Sequence, residues 1–169
     1  VYKRQAPVED FILPSTESLE LLIKKLKEQD KYETIGIGIE HPYIQMNEGG
    51  KSVQVFLDDT PRVRQLYYDY GCFMGAKVRL ESLNYALKYI RSRNVRFNFL
   101  SDSILREITI QGTKLIFVYE YCLSQSELIH LAPEKNSIVV NLHNWNGESC
   151  ISSQAYTEAK HMNVRLLTM

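Results

Sequence analysis

The chain has 169 residues, 44% of them hydrophobic and 24% charged, with 20 basic side chains against 20 acidic ones. That composition is globular: a chain of this size buries roughly 70% of its unfolded surface and needs neither metal nor disulfide to fold, which excludes a disordered or fibrous protein. Zero net charge removes any global pull toward nucleic acid or an anionic membrane and leaves only local patches to supply one, and no apolar run approaches the roughly 20 residues that span a bilayer.

The opening VYKRQ, residues 1–5, lacks an initiator Met and reads as a translated sequencing adapter from a metagenomic reading frame, so it is set aside. Residues 6–14 are an extended lead-in. STESLELLIKKLKEQD (15–30) predicts a helix capped by Ser15 or Thr16, with Leu19, Leu22, Ile23 and Leu26 on one stripe. KYETIGIGIEHPYIQM (31–46) is strand-like; Gly36 and Gly38 leave one face bare for another backbone or a ligand, and Pro42 ends the run. SVQVFL (52–57) pairs with it across NEGGK as a hairpin. In 58–77, Asp59 or Thr60 can cap a helix that has Pro61 first and Val63, Leu66, Tyr67 and Tyr70 on one face, stopped by Gly71. A second helix spans 82–94.

VRFNFL (95–100) reads as a strand, and 101–122 as a hairpin turning at QGT. A short helix follows, ended by Pro133. The tail is strand 137–142, turn NWNGE, helix 152–162 and strand 164–168, where Met169 stops the chain directly on an apolar strand. Interleaved strands and helices predict an α/β domain with a mixed central sheet flanked by helices. Residues 6–169 are expected to form one such domain, truncated at both ends.

Cys72, Cys122 and Cys150 are odd in number, widely spaced and without a CxxC pair, so they are expected to be reduced, mostly buried thiols of a cytoplasmic protein. No secretory signal is visible. His41, His130, His143 and His161 share no metal-ligand spacing. Cys150 with His143 as base makes a conceivable nucleophile pair, against the simpler reading of a turn histidine and a half-buried thiol.

The acidic candidates are Asp58, Asp59, Glu81, Asp102, Glu107 and Glu120. Carboxylates at strand ends can gather a divalent cation that stabilises charge on a scissile phosphate, although Asp58 and Asp59 serve equally well as a helix cap. Glu120, in FVYEYC at the end of a central strand, must be exposed, paired or functional. Between residues 77 and 96, Lys77, Arg79, Lys88, Arg91, Arg93 and Arg96 face one acid, Glu81, a net +5 interleaved with Tyr85, Tyr89 and Phe97. Basic groups hold phosphates and aromatics stack on bases; a solvated helix face with long stems over the core is the plainer alternative.

The tail NSIVVNL, SSQAYTEAKHM, NVRLLTM resembles the closing β-α-β unit of restriction-endonuclease-like domains of the Mrr type. In that family the helix has the pattern S-x-x-A-x-x-x-A and a strand N-[IV]-x-L-[IL] follows; Ser152, Ala155, Ala159 and 163–167 stand at those places. The earlier part follows the same plan loosely: helix, several strands, helix, tail. The resemblance implies a nucleic-acid-associated domain from a bacterial defence or mobile-element system, and a metal-dependent nuclease where active. It implies Asp58, Asp59 and Glu120 as ligands of Mg²⁺ and Lys114 for charge stabilisation, with Lys77, Arg79, Lys88, Arg91, Arg93 and Arg96 on DNA or RNA phosphates. Nuclease members carry an acid on one strand and [DE]-x-K on the next; here Cys122 stands where the lysine belongs, which points to a catalytically degenerate domain. The alternative is a non-catalytic protein-interaction or ligand-sensor module of a larger chain, using its tyrosine-rich face.

Overall fold

The structure is a computed structural model and describes residues 15–58, 60–72, 78–143 and 150–169. It is mixed α/β. The chain divides into two compact units, Val1–Lys88 and Tyr89–Met169.

In the first unit, α1 (Thr16–Glu28) is capped by Ser15, whose Oγ accepts the Ser18 N–H at 3.1 Å. Its stripe of Leu19, Leu22, Ile23 and Leu26 is fully buried. β1 (Tyr32–Gly36), β2 (Tyr43–Glu48) and β3 (Lys51–Phe56) form an antiparallel meander. The expected single strand over 31–46 is thus two strands. Gly38 takes φ +84°, and its N–H donates to Asn84 Oδ1 at 2.6 Å while Asn84 Nδ2 donates to the Ile39 carbonyl at 3.1 Å. A left-handed glycine held by a buried amide bends the chain where side-chain alternation alone predicts continuation. The bare face at Gly36 is filled by the Tyr43 ring, which a Cβ there would strike. Gly49 and Gly50, both at positive φ, turn β2 into β3.

α2 (Pro61–Asp69) is capped by Thr60, whose Oγ1 accepts the Val63 N–H at 3.2 Å; Val63 and Tyr67 are buried. Gly71 at φ +64° ends it. α3 (Leu80–Ser92) buries Leu80, Leu83, Asn84, Ala86 and Leu87 in the first unit, and the boundary between the units falls inside this helix.

The second unit is built on a five-stranded mixed sheet. β4 (Asn98–Ser101), β5 (Ile104–Ile110) and β6 (Thr113–Val118) are antiparallel neighbours, with Gln111 and Gly112 at positive φ in the β5–β6 turn. β7 (Cys122–Leu123) and α4 (Gln125–Leu131) lead to β8 (Ile138–Asn141), parallel to β6. β9 (Cys150–Ile151) and α5 (Ser153–Met162) lead to β10 (Arg165–Thr168), parallel to β8. The sheet order is β10-β8-β6-β5-β4, and β7 pairs separately with β9.

The tail folds as strand β8, short strand β9, helix α5 and strand β10. Ser152 caps α5 through the Ala155 N–H, and Asn163 ends it in the left-handed region. Ala155 and Ala159 join Leu128 of α4 against Ile116, Val118, Val139 and Leu166 of the sheet. Small side chains at one-turn spacing let the helix axis approach the sheet closely. Among the described residues no helix is long and apolar enough to cross a membrane.

Candidate functional site

The basic segment separates into two kinds of residue. Arg79 is half-buried and its backbone bridges Ser15; Lys88 lies 3.2 Å from Glu40. Both therefore have local structural duties. Lys77 lies outside the described residues. Arg91, Arg93 and Arg96, all in the second unit, are exposed. Arg91 Cζ lies 5.1 Å from the Phe97 ring centroid, and Arg93 Cζ 4.9 Å from that of Tyr89. Such cation–π contacts hold a guanidinium over a ring face without neutralising it.

The end of α3 makes this arrangement. The N–H groups of Arg93, Asn94 and Val95 donate to Ile90, Arg91 and Ile90 carbonyls, and Asn94 takes φ +59°. That left-handed cap turns the chain back, so Phe97 meets Arg91 six residues earlier. Tyr89 is 46% exposed and Phe97 touches Phe99 edge-on, 5.7 Å between centroids.

A second cluster lies where the parallel strands β6 and β8 end. Asn141, fully buried, accepts the N–H groups of Glu120 (3.1 Å) and His143 (3.3 Å) at Oδ1. Its Nδ2 donates to the carbonyls of Glu120 (3.1 Å) and Cys150 (3.0 Å). Two donors and two acceptor sites are a primary amide's whole capacity, so one side chain locks three chain segments. The His143 ring sits edge-on to Tyr119 at 5.0 Å and Tyr121 at 5.4 Å. Beside it Cys122 and Cys150, Cα atoms 4.4 Å apart, form a disulfide. This corrects the expectation of three thiols: parallel pairing of β7 with β9 puts the two cysteines in register, a proximity invisible in their spacing. Cys150 is therefore not a thiol nucleophile for His143. Only Cys72 is free, and it is buried.

The acidic candidates fall in both units. Asp58 is exposed in the first unit, its Oδ2 2.8 Å from His41 Nδ1. Asp59 lies outside the described residues. Glu120 is half-buried in the second unit, two residues beyond β6. Lys114, the second residue of β6, pairs with Glu107 (3.6 Å) and Glu134 (3.8 Å). Glu120 lies beyond the other end of that strand, two residues after Val118. Asp102 lies in the β4–β5 turn, and because β5 runs antiparallel to β6 it belongs to the sheet end of Glu120. Among the described residues no three His, Cys, Asp or Glu side chains come together in a group that could hold a metal.

The first unit also carries an open groove of about 380 Å³ lined by Lys31, Met46, Asn47, Leu66, Asp69 and Tyr70, among others. Comparison of the chain with protein-family models, with curated proteins and with solved structures found no match.

Proposed function

We propose that residues 89–169 form a nucleic-acid-associated domain of restriction-endonuclease-like kind whose hydrolytic motif is degenerate. The observation that carries the reading is the exposed set Arg91, Arg93 and Arg96, which among the described residues has no carboxylate partner and two of whose guanidinium groups lie over aromatic rings. Supporting the family assignment is the element order within that unit: three antiparallel strands, α4, then the parallel β8-α5-β10 unit. Supporting degeneracy is Cys122, which holds the motif's lysine place as half of a disulfide.

The test is binding to a labelled oligonucleotide across a salt series. Affinity should fall steeply with salt, and each of Arg91, Arg93 and Arg96 changed to Ala should reduce the log–log slope by about one unit. No binding at low salt rejects the proposal. Cleavage in Mg²⁺ that Glu120→Gln abolishes would show the motif to be active and not degenerate. The groove with Tyr70 favours a second reading, a ligand-sensor role for the first unit, to be tested by thermal-shift screening of small molecules.

A further inference from the structure

We infer that the patch at the end of α3 takes single-stranded nucleic acid, with unpaired bases stacked on its guanidinium and ring planes; this rests on the nucleic-acid reading above. A duplex offers a side chain its phosphates and groove edges, while its base faces are buried against one another. A row of phosphates calls for charge, which lysine supplies as well as arginine. The patch instead pairs each of two guanidinium groups with a ring, Arg93 on Tyr89 and Arg91 on Phe97. A planar cation over a ring leaves its outer face open, the kind of surface on which splayed bases stack in single-strand recognition.

Three features fit this use. Arg93 is the first residue after α3 and lies four residues beyond Tyr89; its N–H donates to the Ile90 carbonyl at 3.2 Å, so the turn closing the helix sets their contact. Arg91 and Phe97 are brought together by the left-handed turn at Asn94, which the Val95 N–H closes onto the Ile90 carbonyl at 3.3 Å. The planes are thereby ordered before any ligand arrives. Finally, 89–97 contains three arginines and no acid, so nothing in the segment repels the phosphates between stacked bases.

The experiment is fluorescence anisotropy on the whole chain at low salt, with one labelled 16-nucleotide strand of DNA, its RNA equivalent, and the same strand annealed to its complement. Single strands should bind at least tenfold more tightly than the duplex. Arg93→Lys keeps the charge and loses the plane; Tyr89→Leu keeps apolar cover and loses the ring. Each should weaken single-strand binding by roughly tenfold and leave the salt slope and duplex binding unchanged. Both positions are exposed, and a melting curve matching the parent checks the fold of each variant. Equal affinity for duplex and single strand, or no loss in these two variants, overturns this inference while the nucleic-acid reading survives. Absence of salt-sensitive binding to every form overturns both.

Discussion

Breaking the Cys122–Cys150 bond should cost the folded chain about 3.6 kcal/mol. The two residues are 28 apart in sequence. Cross-linking a loop of that size removes about 12 cal/mol/K of entropy from the unfolded chain, or about 3.6 kcal/mol at 25 °C, a factor of about 400 in the unfolding equilibrium. The folded state should change little on reduction, since the Asn141 amide still holds the Cys150 carbonyl and the β7–β9 pairing remains. The assay is urea unfolding followed by far-ultraviolet circular dichroism, with and without dithiothreitol. Reduction should lower the midpoint and steepen the transition, because an uncrosslinked denatured chain exposes more surface. Replacing both cysteines by serine should reproduce the loss and abolish the effect of dithiothreitol. In denaturant without reductant, one thiol per chain should react with a maleimide, that of Cys72. Three reactive thiols, or identical stability in the two redox states, would refute the reasoning.

Asn141→Asp should be among the most damaging single-atom changes, at roughly 3–5 kcal/mol, because it removes two donors and sets a buried carboxylate against two carbonyls; unchanged thermal stability would show that the clamp is dispensable. Gly36→Ala should cost roughly 1–3 kcal/mol through its collision with the Tyr43 ring, and the loss should shrink in a Tyr43→Ala background in a double-mutant cycle. Burial pushes the Cys72 thiol up, nearby Lys25 opposing it, and pushes the Tyr67 phenol up as well, with Cys72 adding to it. Each group therefore keeps its proton in the fold at pH values where the unfolded chain has lost it, so stability falls as pH rises above about 8.5 and again above about 10. Cys72→Ala should flatten the first part of that fall in urea midpoints taken from pH 7 to 11; an unchanged profile would dismiss the thiol's part.

Much of this fold is legible in the chain because its helices obey one-stripe periodicity and carry their caps in sequence. Ser15 and Thr60 act where they stand. The failures share a cause: each depends on a partner remote in sequence. The break in GIGIEHP comes from Asn84, 46 residues beyond Gly38. The disulfide comes from strand pairing, and the role of Asn141 from three segments meeting at a sheet end. Asn141 did leave a local trace, a polar residue inside the apolar run IVVNL, where a buried amide must find partners.

The candidate site was legible in the same partial way. The stretch from 77 to 96 has a single composition, yet its charges do different work. Lys88 meets Glu40, and Arg79 sits half-buried beside the start of α1. Such residues justify the plain alternative of a helix face with structural charges. Arg91 and Arg93 lie at the C-terminal end of α3, where the helix dipole favours a cation, so part of their role is also local. That accounts for positive charge there, but lysine would satisfy it equally. It does not account for two guanidinium groups each placed over a ring on a turn that returns Phe97 to Arg91. The surplus of geometry over charge is what the proposed binding surface rests on, and Arg93→Lys removes that surplus alone.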